Sequence, residues 1–454
     1  MINQIKIYLL TVFILLSVFA KAQLPVETEQ AKTERMEWWT NARFGMFIHW
    51  GLYSLPARHE WVKNFERMNT EQYQKYFEEF NPDLYNPKEW AKKAKEAGMK
   101  YAVITTKHHE GFCLFDTKLT DYKAPNTPCG KDLIKEWVDA FRAEGIKIGF
   151  YYSLIDWHHP DFTIDKNHPQ RQDSDSAYVR LNKGRTMLEY QKYMKGQLRE
   201  LLTNYGEISI LWLDFSYPGK NGKGHEDWDS ENLLKMVREL QPGILVNDRL
   251  DLNDVPGGWD FTTPEQFKVA KWPEKNGKQI PWETCQTFSG SWGYHRDENT
   301  WKSTEQLLQL LIESVSKGGN LLMNVGPTAR GVFDSRANDR LKAMGDWMKY
   351  NSRSIYGCTQ APAEFTAPEN TILTYNPKTN RLYIHLITYP LERLVMKNMA
   401  GKIKYAQFLH DASEIRVIPP HWSGFDDTGK DDLILAVPVI QPPVAIPVIE
   451  IVLK

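Results

Sequence analysis

The apolar run Ile208–Leu213 ends on a carboxylate, Asp214. Such a run reads as a strand buried on both faces, and parallel α/β folds place reacting groups at the carboxyl ends of these strands. Four more predicted strands end in polar or aromatic groups: His49, the pair His108–His109, the pair Tyr151–Tyr152, and Arg249. One such ending means little. Five converging on one barrel face point to a site, because an inert barrel gains nothing from burying them there. Cleaving a sugar bond calls for two carboxyl groups, one ionised as nucleophile and one kept protonated as acid. Asp214, held at a strand end, suits the nucleophile. Two later glutamates suit the acid: Glu265 in Gly258-Trp-Asp-Phe-Thr-Thr-Pro-Glu265, and Glu283 in Pro281-Trp-Glu283-Thr-Cys285. The plainer readings are an Asp that caps a turn and a Glu that opens a helix after Pro264.

The elements that would position these groups alternate along the chain. Strands are expected at Arg43–Gly51, Lys100–Thr106, Lys147–Ser153, Ile208–Asp214, Ile244–Arg249 and Asn320–Pro327. Helices are expected between them at Lys88–Ala97, Asp132–Ala143, Ser176–Asn204, Asn232–Leu240 and Thr304–Ser316, with a last one at Ser335–Tyr350. Asn86, Pro87 and Gly98 bracket the first of these helices as cap, first-turn residue and stop. Strand–helix alternation implies a parallel sheet, and the length suits a (β/α)8-like, TIM-type barrel over residues 23–354, regular or not. No Gly-rich phosphate loop follows the first strand, which argues against a doubly wound nucleotide fold. From residue 355 helical periodicity stops. Short apolar runs at Ile372–Tyr375, Arg381–Ile387, Ile415–Ile418, Leu433–Val437 and Val444–Leu453 read as a C-terminal β-sandwich over 355–454.

Composition narrows the function classes. The 454 residues carry 56 basic and 57 acidic side chains, and no one-signed patch speaks for nucleic acid. Aromatic residues make up 13%, including 16 Trp and 21 Tyr, which leans toward sugar stacking. Residues 1–22 read as a cleavable signal peptide. Lys6 is the positive start, Ile7–Ala20 the apolar stretch, and Ala20-Lys21-Ala22 the cleavage site, leaving Gln23 first. A secreted or periplasmic mature protein without membrane insertion is expected. Cys113, Cys129, Cys285 and Cys358 have neither metal-site nor disulfide-scaffold spacing, so most should be buried thiols, with a Cys113–Cys129 bridge open.

Taken together, the motifs resemble those of an α-L-fucosidase of glycoside hydrolase family 29. They are Trp38-Trp39 with Arg43-Phe-Gly-Met-Phe-Ile-His-Trp-Gly51, Glu60-Trp61, and Lys107-His-His-Glu-Gly-Phe112. Leu211-Trp-Leu-Asp214, Val246-Asn-Asp-Arg249, Trp282-Glu-Thr-Cys285, Ser291-Trp-Gly-Tyr294 and Gly318-Gly-Asn-Leu-Leu-Met-Asn-Val-Gly-Pro327 follow in order. The resemblance implies retaining hydrolysis of terminal α-L-fucose from glycans, with Asp214 as nucleophile and Glu265 as acid/base. Glu283 is the alternative acid/base. It also implies that Phe47, His49, Glu60, Trp61, His108, His109, Tyr151, Arg249 and Trp292 bind the fucose, with Tyr151 against Tyr152 a matter of register.

Two rival readings carry weight. His49, His108, His109, His158 and His159 could supply a hydrolytic zinc. However, neighbouring residues on a strand face opposite ways, and neither His-x-His nor His-Glu-x-x-His spacing occurs. No metal or other cofactor is therefore expected. A sugar-binding barrel without chemistry is the second rival, and the strand-end Asp with two candidate glutamates speaks against it.

Overall fold

Alternation along each strand decides what the barrel shows to its interior. In the computed structural model, which describes residues 24, 27–172, 174–418 and 428–454, the first nine strands include a seven-stranded parallel sheet. Its members are β1 (Phe44–Ile48), β2 (Tyr101–Lys107), β3 (Lys147–Ser153), β4 (Ile210–Asp214) and β5 (Leu245–Val246). A small hairpin, β6 (Glu274–Lys275) with β7 (Lys278–Gln279), precedes β8 (Glu283–Thr287) and β9 (Asn320–Val325). The spatial order is β5-β4-β3-β2-β1-β9-β8. Phe47, Tyr101, Val103, Tyr151, Ile210, Trp212, Cys285 and Leu322 share an inner core, while Phe44, Ile104, Phe150, Tyr152, Leu211 and Leu213 pack outward against the helices. Asp214 is in step with Ile210 and Trp212, so its side chain belongs to the inside. Tyr151 is likewise inside, whereas Tyr152 points out and donates to Gln197 at 2.8 Å. Gly45 must stay glycine because a Cβ there would meet the Tyr101 ring at 2.4 Å.

The barrel is irregular where β5 should meet β8. Residues 261–265 fill that gap with single bridges, Asn247 to Phe261, Thr262 to Trp282, and Glu265 to Cys285. Pro264 has no N–H to donate and interrupts any regular ladder. This stitched segment carries Glu265.

Helices cover the outside. Pro87–Glu96 and Leu133–Ala143 match expectation, with Asn86 and Asp132 as side-chain caps. The expected helix Ser176–Asn204 is two helices, Asp175–Leu181 and Met187–Asn204, separated by a turn in which Gly184 takes φ 87°. Two longer helices escape the sequence reading, as do the four-residue helices Val62–Phe65 and His225–Trp228. Glu29–Ala42 buries only Met36, Trp39 and Ala42, so it shows little apolar periodicity, yet it closes the amino-terminal end of the barrel. Thr70–Glu78 carries a capping box between Asn69 and Gln72.

Beyond the last barrel helix, Ser335–Asn351, a second core forms between two antiparallel sheets. One contains β10 (Thr371–Asn376), β11 (Arg381–Leu386), β13 (Ile403–Phe408) and β16 (Val448–Leu453). The other contains β12 (Arg393–Met396), β14 (Arg416–Ile418) and β15 (Leu433–Ala436). β12 and β13, each only partly buried, are additions to the sequence expectation. Trp347 donates to the Ile446 carbonyl at 2.9 Å, tying this core to the barrel. All four cysteines are free, Cys113 accepting from Gln197, so no Cys113–Cys129 bridge forms.

Candidate active site

A cavity of about 480 Å³ opens at the carboxyl ends of the barrel strands. Asp214 lies in its wall, accepting from Tyr151 Oη at 2.7 Å and from Arg249 Nη1 at 3.0 Å. Burial pushes its carboxyl up to about 6, with the Glu265 carboxylate adding to the shift and Arg249 and Tyr151 opposing it. The chain turns sharply just after it, because Phe215 takes φ 85°, a left-handed conformation rare for a bulky side chain. Its ring then packs on Trp61 and His109 at 5.3 and 5.0 Å.

Glu265 sits across the mouth, its side chain 41% exposed, and accepts from Arg249 Nη2 at 3.1 Å. One guanidinium thus holds both carboxylates on its two terminal nitrogens. Its Nε donates to Thr263 Oγ1 at 2.9 Å, and its flat face lies 5.0 Å from the Trp212 ring. Arg249 therefore stands between the two cavity-lining carboxylates, its guanidinium held at 3.0 and 3.1 Å from them.

Burial keeps His49, His108 and His109 neutral, and the network assigns the free nitrogens of His49 and His109. Asn324 Nδ2 donates to the Trp292 carbonyl, so its Oδ1 accepts from His49 Nδ1 at 2.7 Å, leaving His49 Nε2 as an acceptor. Ser153 Oγ donates to the Ile155 carbonyl and therefore accepts from His109 Nδ1 at 2.7 Å. His109 Nε2, 3.9 Å from Asp214 Oδ2, is again an acceptor. Burial lowers His49 to about 3 and His108 and His109 well below their usual range. Glu60 is a buried carboxyl whose Oε2 accepts from the N–H groups of Trp292 and Gly293 at 3.1 and 3.0 Å, and burial raises its pKa. It pins the 291–293 loop, which carries the Trp292 ring 5.0 Å from His49 and 5.9 Å from Phe47.

Phe47, His49, Glu60, Trp61, His108, His109, Tyr151, Asp214, Glu265 and Trp292 all line this one cavity. Glu283 does not. It begins β8 at the opposite, amino-terminal end of the barrel, fully buried, and accepts from Tyr101 Oη. Burial pushes it up to about 7. A carboxyl enclosed there cannot reach a sugar in the cavity, which removes it as the alternative acid/base. His158 stacks on Tyr122 at 3.8 Å and His159 packs on Tyr193 at 4.3 Å, both away from the cavity. His59, Phe65, Trp212, Phe215, Gln266 and Gly290 line it without having been singled out from the sequence. Trp212 and Phe215, flanking Asp214, were legible as neighbours. His59 sits in a loop and Phe65 ends the four-residue helix Val62–Phe65, with no strand to signal either.

The geometry meets a family. A model of the family described as Alpha-L-fucosidase matches residues 15–353, three quarters of the chain. The chain belongs to the α-L-fucosidase family, glycoside hydrolase family 29. The reaction that goes with that membership is retaining hydrolysis of an α-L-fucoside. Human plasma alpha-L-fucosidase is similar at 29% identity over 425 residues, 86% of this chain and 84% of the relative. Among solved structures, alpha-L-fucosidase isoenzyme 1 from Paenibacillus thiaminolyticus aligns with a TM-score of 0.87 and 46% identity, covering 93% of this chain and 100% of that one. An alpha-L-fucosidase from Bacteroides thetaiotaomicron, trapped as a covalent intermediate with 2-fluoro-fucosyl fluoride in a Glu-to-Gln variant, aligns with a TM-score of 0.79 and 28% identity. It covers 96% of this chain and 99% of that one.

Proposed function

We propose that the chain removes terminal α-L-fucose from glycans by double displacement, with Asp214 as nucleophile and Glu265 as acid/base. The observation that carries this reading is Arg249 bridging both carboxylates at the rim and wall of one cavity. In the first step the Asp214 carboxylate attacks the anomeric carbon while Glu265 protonates the departing oxygen. Asp214 becomes a neutral ester and Glu265 becomes the anion. The guanidinium therefore faces one negative charge before and after the step, and needs no rearrangement as charge moves between its two partners. In the second step Glu265 takes a proton from water, which attacks the ester, and the charges return.

His49 Nε2 and His109 Nε2 act as acceptors for sugar hydroxyls. Trp61 and Trp292 offer apolar faces to the ring and its methyl group. Phe47, Glu60, His108 and Tyr151 complete the wall around the fucose. The fucosylated glycan is then the only partner the site requires. Among the described residues no helix is long and apolar enough to cross a membrane. Residues 1–22 direct the chain to export as a signal peptide, on the strength of Lys6, the apolar Ile7–Ala20 and Ala20-Lys21-Ala22.

The test is to incubate the enzyme with a 2-fluoro-fucosyl fluoride and map the adduct by peptide mass spectrometry. The fucosyl mass should sit on Asp214; an adduct elsewhere, or none with an enzyme that turns over aryl α-L-fucosides, would overthrow the assignment. A mature protein recovered from the periplasm or medium should begin at Gln23.

A further inference from the structure

The mouth of the cavity has a wall that the steps above leave unused. Phe65, Gln266 and His59 lie there, above the level of Asp214. Phe65 is 62% exposed, more than any other large apolar side chain lining the cavity. A single exposed ring is ordinary on a protein surface. This one is held in place. It ends the short helix Val62–Phe65, whose other three residues are buried, so the helix is anchored and only the phenyl ring faces out. The His59 ring backs it at 5.0 Å and Trp61 at 6.1 Å, and Trp61 in turn packs on Phe215 beside the nucleophile. His59 takes φ 109°, a strained conformation for a non-glycine residue. Its Nδ1 accepts from the Trp61 N–H at 3.1 Å, which leaves the proton on Nε2 as a donor.

We propose that Phe65 is the platform for the sugar from which fucose is released. This rests on the fucosidase reading above. The leaving group is a hexopyranose whose face of C–H bonds lies on the phenyl ring, while the His59 Nε2–H donates to one of its hydroxyls. Glu265, at the same mouth, is placed to protonate the oxygen between that sugar and the fucose below. A flat aromatic face accepts pyranoses with little regard to linkage, so Phe65 supplies affinity for the leaving sugar and His59 supplies its orientation.

The test compares fucosyl fluoride, whose leaving group is too small to reach the platform, with fucosyl-galactose and fucosyl-N-acetylglucosamine disaccharides. Phe65→Ala should lower kcat/KM on the disaccharide that the wild type cleaves best by about tenfold, the size of one lost aromatic contact. On fucosyl fluoride it should stay within about twofold, which also shows that the variant folds. Phe65→Trp should retain the disaccharide activity. Equal losses on both substrates, or no loss on the disaccharide, would overturn the platform. A wild type that leaves fucosyl fluoride untouched would instead overturn the fucosidase reading, and the platform with it.

Discussion

Two buried carboxyl groups lie along the barrel interior, Asp214 near the carboxyl ends of the strands and Glu283 near their amino ends. Burial raises both, to about 6 and about 7. Their company differs. Asp214 has a guanidinium at 3.0 Å, a phenol at 2.7 Å and an open cavity beside it. Glu283 has the Tyr101 phenol and the indoles of Trp39 and Trp212 around it, and its Oε1 makes no hydrogen bond of ordinary geometry. A buried carboxyl with a cation and access to substrate can ionise where it is needed. One with neither is a polar strut, most comfortable when protonated.

The sharpest way to break this comparison is to delete each group. Asp214→Ala should cut kcat by on the order of 10⁴-fold or more on every fucoside. Glu265→Gln should lose about 10²–10⁴-fold on disaccharides and far less on substrates with good leaving groups, with azide restoring turnover. Glu283→Gln should keep kcat within a few-fold of wild type. If Glu283→Gln instead shows the azide-rescued pattern, the two ends of the barrel have been assigned the wrong way round.

Titration gives a finer comparison. Turnover should fall as pH drops below about 6, where Asp214 becomes protonated and can no longer attack. Arg249→Met removes the cation that holds this pKa down, so the acid limb of the kcat/KM profile should move to higher pH. A limb that stays put would mean another group controls it.

The smallest effects concern stability. A carboxyl raised on folding contributes most below its unfolded pKa, and that contribution is lost as pH rises through the folded value. Asp214→Asn should therefore stabilise the protein above about pH 6, by at most about 3 kcal/mol, and do little at pH 4. Glu283→Gln should flatten the fall in Tm as pH rises from about 4.5 to about 7. An unchanged slope would show that Glu283 does not titrate in that window.

Most of the barrel was readable because strands buried on both faces are short continuous apolar runs that alternate with capped helices. Leu211-Trp-Leu-Asp214 announces both the strand and, by counting in twos from Ile210, the direction of the carboxylate. The family resemblance that the motifs carry named ten site residues that line one cavity. What escaped depends on contacts distant in sequence. The closing segment 261–265 has no strand signature, since Pro264 forbids one, so the distance of Glu265 from Asp214 was invisible until folding brought Arg249 between them. Glu283 resembles Asp214 as a string of letters, a carboxylate within two residues of a tryptophan. Only its position at the start of a strand, not the end, separates a strut from a candidate acid. Phe65 belongs to a four-residue helix whose outward ring follows from what its neighbours bury.

The seam formed by residues 261–265 has a consequence for how such an enzyme changes over time. Three lone bridges join it to its neighbours, so extra residues can be inserted there without shifting the register of any ladder. Variation can then accumulate at the gate through which the released glycan departs, while the fucose chamber beneath stays rigid.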